Sequence, residues 1–397
     1  MKSVLRWSIP AAALLLGPAV VASPAVAASA APTITQLTAA PVVGQTAKFK
    51  FTAPSGSQPV EYRWMLNGGT LLGTVPATNG TATAKILAVS FATSLRVYAK
   101  NADGTFSDDA DIVFTADTPA PYADQDLNGD DRPDLAVVLA DKLLEADGKG
   151  TGGKVRVPAA DLGPKVIGSY TGQQVITGKF SGGPFEDYLL YDPVNGNASG
   201  FRGLGRADQD NPGRLAKGEL SLIQHFDDID GNAPIQLVNA YESRGVELTI
   251  PDLMGVVGGR LSYYVSYDAV FGAYDYPVDT GVHTPDGGTD WQNWKLSSKL
   301  LPTGTAISLW NPATGALYLW TGVTYVDGQL AFTQYHLAAD FLTGALDTTL
   351  RLTDFNADGV PDLWGVSPDG LATAYQVSHL SSTGLAKLKA KAPQPLI

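Results

Sequence analysis

Hydrophobic and polar residues alternate one by one over much of this 397-residue chain. In the segment AKFKF (47–51), both Phe residues share one face with Ala, and both Lys residues occupy the other. The segment VEYRWML (60–66) alternates in the same way, with Trp64 on its apolar face. Strict alternation predicts β-strands that bury one face, and no long segment repeats with the period of a helix. The sequence therefore predicts an all-β protein.

Residues 31–117 are predicted to form an immunoglobulin-like β-sandwich. About seven short strands fit into this stretch, separated by turns rich in Gly, Asn and Pro, as in such sandwiches. Trp64 is the predicted core tryptophan, and the chain has no cysteine for the disulfide of antibody domains. We find no catalytic motif in this stretch, so we expect a spacer or a binding module.

A second region extends from 124 to 385, between a proline-rich linker at 118–123 and a short basic tail at 386–397. One unit recurs in it: a polar loop, a short apolar strand and a turn. Its copies lie at 128–142, 181–197, 230–245, 259–274, 304–320 and 357–375. Most copies are spaced by about 50 residues, the length of a four-stranded propeller blade. The spacing predicts a β-propeller of about six or seven blades.

The segment TDFNADGVPDLWGV (353–366) has an oxygen donor at every second position and then becomes apolar. A chain that coils around one point turns alternate groups inward, and a ring of hard, partly anionic oxygens is what Ca²⁺ requires. The predicted ligands are the side chains of Asp354, Asn356 and Asp358, the carbonyl of Val360 and the side chain of Asp362. Gly359 permits the tight turn.

A matching loop, QDLNGDDRPDLAVV, lies at 125–138. Its predicted ligands are the side chains of Asp126, Asn128 and Asp130, the carbonyl of Arg132 and the side chain of Asp134. Asp131 stands where glycine is expected, and Asp tolerates a left-handed backbone better than most residues do. We therefore expect a weakened site, still able to bind structural calcium.

Two other units retain parts of the same frame. In one of them, the side chains of Asp228, Asp230, Asn232 and Gln236, with the carbonyl of Pro234, form either a weak calcium site or a solvated turn. In the other, Lys179 stands at the first ligand position and Asp187 at the ninth. We expect the ammonium of Lys179 to pair with Asp187 in place of a cation.

Closure of the loop at its ninth position, followed by an apolar strand, resembles the FG-GAP or VCBS repeats of integrin-type β-propellers. EF-hands and dockerins need an acid at position twelve, where this chain has Val137 and Gly365. The Phe-Gly and Gly-Ala-Pro signatures of the repeats are poorly kept. The resemblance covers roughly 123–380 and implies a propeller held by structural Ca²⁺. It extends to bacterial secreted proteins that join such repeats to immunoglobulin-like modules.

The first 30 residues have the plan of a secretory signal peptide. Lys2 and Arg6 form a basic head, an apolar run follows at 10–21, and small residues suit cleavage after Ala27 or Ala30. No later stretch is apolar for long enough to span a membrane. We therefore expect a secreted protein that is not inserted into a membrane.

The net charge of −12 and the pI of about 4.7 argue against nucleic acid as a partner, because nucleic acid requires clustered Lys and Arg. The four histidines show no metal-ligand spacing, and no nucleophile or phosphate-binding motif is present. We predict no catalytic residue from motifs. Acidic residues are abundant, however, and any two of them would make a glycosidase pair if the fold placed them together.

Tryptophans leave one alternative open. Trp291 and Trp294 lie in the polar, Gly-rich segment GGTDWQNWKL (287–296), where the rings either stack on a sugar or peptide ligand or pack within a blade. Trp310, Trp320 and Trp364 lie in apolar strands and are expected in the core.

Together, these features predict a secreted, monomeric, calcium-stabilised propeller that acts as an extracellular binding or adhesion module for a glycan or a protein. The alternative is a secreted polysaccharide-degrading enzyme, a hydrolase or lyase, on the same scaffold. A third possibility is a structural protein of the cell envelope.

Overall fold

The computed structural model describes residues 30–66, 73–88, 91–150, 152–162, 169–203, 205, 215–246, 250–267 and 274–397. The predicted signal peptide, apart from Ala30, lies outside the described residues. Within them, every regular element is a β-strand except one 3₁₀ turn at Trp291–Asn293, so the all-β prediction is confirmed. No helix in the described ranges is long and apolar enough to cross a bilayer.

Seven strands of the N-terminal region form two antiparallel sheets that face each other. They are β1 (Thr33–Gln36), β2 (Thr46–Thr52), β3 (Pro59–Leu66), β4 (Gly73–Pro76), β5 (Thr81–Leu87), β6 (Ala92–Asn101) and β7 (Ala110–Thr115). The strand orders are β1-β2-β5 and β4-β3-β6-β7. Both sheets contribute to one core, which contains Phe49, Phe51, Tyr62, Leu95 and Phe114. The predicted two-layer sandwich of seven strands is therefore present.

The ring of Trp64 is not the centre of this core, contrary to the sequence prediction. Trp64 is only half-buried, whereas Tyr62 on the same strand is fully buried. The Trp64 ring lies over Gly73 of the neighbouring strand, where a Cβ atom would come within 2.2 Å of it. A β-bulge between Pro59 and Glu61 shifts the register of β3 against β6. The bulge precedes Tyr62, so the residue it displaces from the predicted apolar face is Val60, which is exposed.

The remaining strands form five open antiparallel sheets. Their strands are β8 (Leu135–Leu139), β9 (Lys142–Ala146), β10 (Ala160–Asp161), β11 (Gln174–Gly178), β12 (Asp187–Asp192), β13 (Asn197–Gly203), β14 (Leu215–His225), β15 (Gln236–Tyr241), β16 (Asp252–Val257), β17 (Arg260–Tyr264), β18 (Val278–Asp279), β19 (Lys295–Leu301), β20 (Gly304–Asn311), β21 (Ala316–Val326), β22 (Gln329–Ala338), β23 (Thr349–Thr353), β24 (Asp362–Val366), β25 (Leu371–Ser378), β26 (Lys387–Ala390) and β27 (Gln394–Pro395). The sheets are β10-β9-β8, β11 to β14, β15 to β18, β19 to β22, and β23 to β26 with β27 paired to β25.

The described residues thus hold five sheets after the sandwich, where the sequence predicted six or seven units. Two of the units counted in the sequence, 230–245 and 259–274, belong to the single sheet β15 to β18. The supposed basic tail also differs from the prediction, because it contains β26 and β27 of the last sheet. Its lysines lie on an edge strand, and charged side chains are common on such strands.

Successive sheets contact one another through their first strands. β8 contacts β11, β11 contacts β15, β15 contacts β19, and β19 contacts β23. One small cavity, about 40 Å³ in volume, is lined by residues of all five sheets. Across it, the guanidinium of Arg351 on β23 donates a hydrogen bond to the carbonyl of Val175 on β11, at 2.7 Å.

The last sheet also packs against the first. Trp364 of β24 shares a core cluster with Leu135 of β8, and the Trp364 indole donates to the carbonyl of Gly153 at 3.1 Å. The C-terminal Leu396 is fully buried in the same cluster, and its carbonyl accepts the amide of Ala159 at 2.8 Å. The first and last sheets are therefore joined by side chains and by the C-terminal strand.

Candidate metal loops and an acidic pocket

The two predicted calcium loops share one backbone conformation. Their fourth positions, Gly129 and Ala357, have φ of 78° and 55°, and their sixth positions, Asp131 and Gly359, have φ of 62° and 80°. The left-handed turn expected at Gly359, and tolerated at Asp131, is present in both. Ala357 adopts it without being a glycine, a strained arrangement that persists only where the surrounding structure enforces it.

In the loop at 354–362, the first aspartate bonds amides of the loop, and the last one bonds a neighbouring strand. Asp354 accepts the amide of Asp358 at 3.2 Å and that of Gly359 at 2.9 Å. Asp362, fully buried at the start of β24, accepts the amide of Val377 at 2.8 Å through Oδ1. Its Oδ2 is buried without any hydrogen-bond partner. An ionised oxygen left in this state is costly, so it points to a missing positive partner.

Electrostatics at this loop agree with that interpretation. The pKa of Asp362 is raised to about 7, chiefly by burial, and the nearby carboxylates of Asp358 and Asp354 contribute to this rise. A divalent cation would reverse this effect by favouring the charged forms. The donor set of this loop, with Asn356 beside Asp358, therefore fits calcium.

In the loop at 126–134, the first aspartate is fully buried under backbone amides. Asp126 accepts the amides of Gly129 at 2.7 Å, Asp130 at 3.1 Å and Asp131 at 3.0 Å. Burial nevertheless raises its pKa. The amide of Arg132 donates to Asp130 at 3.1 Å, which closes the turn. The loop is therefore held in shape by its own hydrogen bonds.

Asp134, at the ninth position of this loop, is buried between the loop and the adjacent hairpin. It accepts the amides of Leu127 at 2.9 Å and Gly148 at 2.7 Å, and the side-chain amide of Asn128 at 3.2 Å. Burial is the largest cause of its raised pKa, which reaches about 8. Unlike Asp362, Asp134 has hydrogen bonds to both carboxylate oxygens. The argument for a cation at this loop therefore rests on its oxygen ligands and on the left-handed positions that it shares with the loop at 354–362.

Asp134 also belongs to an acidic cluster that the sequence did not indicate. Its carboxylate lies with those of Glu145 and Asp147, and one oxygen from each falls within 4.8 Å of the others. The hydroxyl of Tyr188 donates to Glu145. These acids follow Asp134 by 11 and 13 residues in the sequence numbering. Only the β8–β9 hairpin brings them together.

The third predicted metal loop, at 228–236, is not assembled. The carboxylate of Asp228 is occupied by the backbone and side-chain amides of Asn232 and by the amide of Asp230. The side chain of Gln236 points away from the loop. It accepts the amide of Leu296 on β19 and donates to the carbonyl of Trp294, the residue before β19. The carbonyl of Pro234 accepts the hydroxyl of Tyr191 at 2.6 Å. The loop is therefore held as a hydrogen-bonded turn around Asp228, and the weak calcium site stays a prediction.

A buried aspartate with a similar hydrogen bond recurs in four of the five sheets. In four of the five described sheets, one aspartate lies at the first residue of a strand or immediately before it. Its carboxylate accepts the backbone amide of a residue 14 to 16 positions later in the chain. The pairs are Asp134 with Gly148, Asp187 with Gly203, Asp252 with Ser266, and Asp362 with Val377, at 2.7 to 2.8 Å. In these four sheets, the aspartate thus ties the start of one strand to a backbone amide at or near the end of the next strand.

Lys179 does not pair with Asp187, contrary to the sequence hypothesis. Its ammonium donates to the carbonyl of Tyr122 at 2.8 Å. No Lys179–Asp187 ion pair lies within 4.0 Å in the described structure, and Asp187 instead accepts the amides of Ser181 and Gly203. Lys179 therefore connects the linker to the second sheet.

The interpretation of Trp291 and Trp294 as ligand-stacking residues is wrong. Both rings are buried, with exposures of 2% and 1%. The indole of Trp291 donates to the carbonyl of Val282 at 2.8 Å and meets the ring of Trp320 edge-on. The core positions predicted for Trp310, Trp320 and Trp364 are confirmed.

An acidic pocket of about 560 Å³ lies where the linker crosses the sheets. Asp124 of the linker, with a side chain 6% exposed, forms an ion pair with Lys299 at 3.1 Å. Its Oδ2 also accepts the amide of Leu300 at 3.0 Å and the hydroxyl of Tyr241 at 3.2 Å. Its Oδ1 is buried and has no hydrogen-bond partner.

Glu186 forms the second acidic group of this pocket. The residue is 4% exposed, and its Oε2 is buried without a hydrogen-bond partner. Burial raises the pKa of Glu186 well above its usual range, and the charge of Asp124 acts in the same direction. The ammonium groups of Lys179 and Lys299 oppose this shift without cancelling it. Sequence reasoning missed both acids, which lie 62 residues apart in the numbering and follow no motif.

Comparisons with known proteins give no name for this arrangement. No family model matches the chain, and no curated protein matches it. Among solved structures, the chain is similar to the central fibronectin-III array of RIM-binding protein, at 11% identity and a TM-score of 0.18. That alignment covers 91% of this chain and 98% of the other. A TM-score this low carries no argument about fold or function.

Proposed function

We propose that this protein is an exported, calcium-stabilised β-propeller of the FG-GAP or VCBS type that follows an immunoglobulin-like sandwich. The propeller spans 124–385 together with the C-terminal strands, and the sandwich spans 31–117. The observation that carries the proposal is the pair of loops at 126–134 and 354–362. They share two left-handed positions, and one leaves a buried carboxylate oxygen unpartnered.

A propeller with five blades is supported by how the sheets meet. Each sheet contacts the next through its first strand, and residues from all five line one small cavity. The last sheet packs on the first through Trp364 and Leu396. An open sheet can bury its faces only against neighbouring sheets. Packing of the last sheet on the first would give every sheet two neighbours.

Calcium would be held by the oxygen ligands of the two loops and would supply positive charge to their buried carboxylates. Extracellular sites of this kind bind at about 10⁻⁴–10⁻³ M. A site of about 10⁻⁴ M, in millimolar calcium, adds about 1.4 kcal/mol of stability by mass action. Two such sites would contribute a substantial part of a typical stability of about 5–15 kcal/mol.

Binding to an extracellular glycan or protein is the function that this architecture supports best. The test is the retention of the full chain on a glycan array and on surface-protein extracts, with calcium and with EDTA. We expect retention in calcium and a lower melting temperature, with weaker retention, in EDTA. Equal melting temperatures in both buffers would overturn structural calcium. Absence of retention on every surface would overturn the binding function.

A second candidate, a polysaccharide hydrolase, is favoured by one observation. Asp124 and Glu186 are two buried acids in one pocket, and the raised pKa of Glu186 keeps a proton that a general acid needs. The corresponding test is the release of reducing ends from a panel of polysaccharides. Activity that disappears in both the Asp124→Asn and Glu186→Gln variants would establish the enzyme, and a complete absence of products would reject it.

A further inference from the structure

We propose that the acidic pocket binds a neutral saccharide, whose hydroxyl groups donate hydrogen bonds to Asp124 and Glu186. This inference rests on the proposed binding function, because it names the ligand class and the place where that ligand docks. The pocket has a volume of about 560 Å³, which is large enough for a sugar ring.

The pocket contains two hydrogen-bond acceptors that lack a donor. Oδ1 of Asp124 and Oε2 of Glu186 are both buried and both lack a partner. A buried acceptor without a donor is destabilising, and a ligand that supplies donors recovers that loss on binding. Such atoms are rare in folded proteins and call for a functional explanation.

The charges of the pocket select a neutral donor. Lys299 pairs directly with Asp124, and the ammonium groups of Lys179 and Lys299 both act on Glu186. A metal ion or an organic ammonium would be repelled by these two lysines. An anion such as phosphate would meet two carboxyl groups that can donate hydrogen bonds to it only when they are protonated. Uncharged hydroxyl groups avoid both conflicts.

The remaining walls suit a sugar as well. Pro121, Pro251 and Leu300 supply apolar surface that the C–H face of a sugar ring can contact, and the exposed Glu242 stands at the rim. Gly178, Gly182 and Gly183 also line the pocket, and they occupy none of its space with side chains.

Tyr241 forms part of the pocket wall and helps to orient Asp124. Its φ is 52°, a left-handed value that a bulky side chain rarely adopts. The conformation is held by the hydrogen bond from its own amide to Asn239, at 2.7 Å. It places the Tyr241 hydroxyl on Asp124. A β-bulge between Asn239 and Tyr241 accounts for this conformation.

The test is ligand-observed NMR and calorimetry on the full chain in calcium, with glucose, galactose, mannose and N-acetylglucosamine as probes. Methylammonium and inorganic phosphate serve as charged probes. We expect at least one neutral sugar to bind. The isosteric Glu186→Gln variant should bind it about tenfold more weakly or worse, because an amide NH2 group, which cannot accept a hydrogen bond, replaces one carboxyl oxygen of Glu186. Asp327→Asn, which changes an exposed turn of another sheet, should bind like the unaltered protein.

A second variant covers the case in which Glu186→Gln does not fold. Leu300 is 39% exposed at the pocket, so Leu300→Trp should fold and close the entrance, and we expect it to abolish sugar binding. Binding of none of the four sugars, undiminished binding in both variants, or binding of the charged probes alone would each overturn the proposal.

Failure of this proposal can be told apart from failure of the proposed function. If the chain is retained on a glycan array but neither pocket variant changes that retention, the pocket proposal is wrong and the binding module stands. If free sugar binds in the pocket while EDTA leaves the melting temperature unchanged, the pocket proposal stands and the calcium propeller is wrong.

Discussion

Gln236 shows how a residue that fits a metal frame in sequence can serve another purpose. Its Oε1 accepts the amide of Leu296 at 3.0 Å, and its Nε2 donates to the carbonyl of Trp294. Both partners are backbone groups at the start of the next sheet. The side chain is 8% exposed and connects two sheets, where a calcium ligand was predicted.

We predict that Gln236→Glu destabilises the protein, because the new carboxylate loses the donor and faces the carbonyl of Trp294. The expected loss is about 1–3 kcal/mol in urea unfolding, with or without calcium. Gln329→Glu, on the exposed edge of β22, is the matched control and should change little. If the variant instead bound calcium more tightly and gained stability from it, the metal-ligand role would be restored.

Glu186 should make stability depend on pH. Its pKa in the fold is raised above the value of about 4.5 expected in the unfolded chain, so the folded state holds a proton that the unfolded state releases. The contribution of Glu186 to the free energy of unfolding is therefore fully favourable below about pH 4.5, and it is lost as the pH rises above that value.

The measurement is the free energy of unfolding of the unaltered protein and of Glu186→Gln between about pH 4 and pH 8. The two should be alike at the acidic end, and the variant should become progressively more stable than the unaltered protein as the pH rises. Asp327→Asn should run parallel to the unaltered protein. A variant that becomes progressively less stable at neutral pH would show that Glu186 is stabilised as an ion by its lysines.

Single residues were predictable where local chemistry decides them. The ligand spacing and the left-handed positions at Asp131 and Gly359 follow from the requirements of one turn. The half-buried Trp64 depends on Gly73 of the strand beside it, which alternation within one strand cannot show. Asp124 and Glu186 meet only because the linker crosses the sheets, and no sequence spacing encodes that crossing.

At the scale of elements, we predict that the effect of Asp362→Asn, in the loop at 354–362, on the stability of the protein changes sign when calcium is added. Asp362→Asn removes a buried charge that Asp354 and Asp358 repel, and its new amide can donate to them. In EDTA at neutral pH the variant should be at least as stable as the unaltered protein. In millimolar calcium it should be less stable by about 1.4 kcal/mol, because a calcium site is lost.

Thermal unfolding of Asp362→Asn and of the control Asp369→Asn, in calcium and in EDTA, is the measurement. Asp369 is exposed in the turn before β25 of the same sheet, so its replacement should leave the response to calcium intact. An equal effect of Asp362→Asn in the two buffers would show that the loop does not bind calcium.

Elements were predictable wherever a polar loop leads into an apolar strand. That pattern located the second strand of most sheets, because the ninth-position aspartate fixes the loop even where metal ligands are absent, as at Asp187. It did not reveal how strands are grouped. Units 230–245 and 259–274 look separate in sequence, yet hydrogen bonds between β15, β16 and β17 join them in one sheet.

At the scale of the whole molecule, the C-terminal strand joins the last sheet to the first. Gln394 accepts the amide of Val155 at 3.0 Å and donates to the carbonyl of Gly153 at 3.1 Å. Leu396 is fully buried beside them. The basic composition suggested a tail and concealed two apolar residues: Leu388, half-buried between lysines, and the buried Leu396 after them.

We predict that Leu396→Ala destabilises the whole protein by about 2–5 kcal/mol, the usual cost of emptying a buried leucine site. Ile397→Ala, one residue later and 64% exposed, should change stability by about 0.5 kcal/mol or less. Urea unfolding with the intrinsic fluorescence of the tryptophans reports both. Similar small effects for the two substitutions would indicate that the first and last sheets are not held together by this strand.

The most direct test of the account is anomalous scattering from a crystal of the protein grown in calcium. We expect two calcium peaks, one ringed by oxygens of the loop at 126–134 and one by oxygens of the loop at 354–362, at about 2.3–2.6 Å from each ligand. The five sheets should surround a single central axis. A map without peaks at these loops, or sheets arranged in any way other than around one axis, would contradict it.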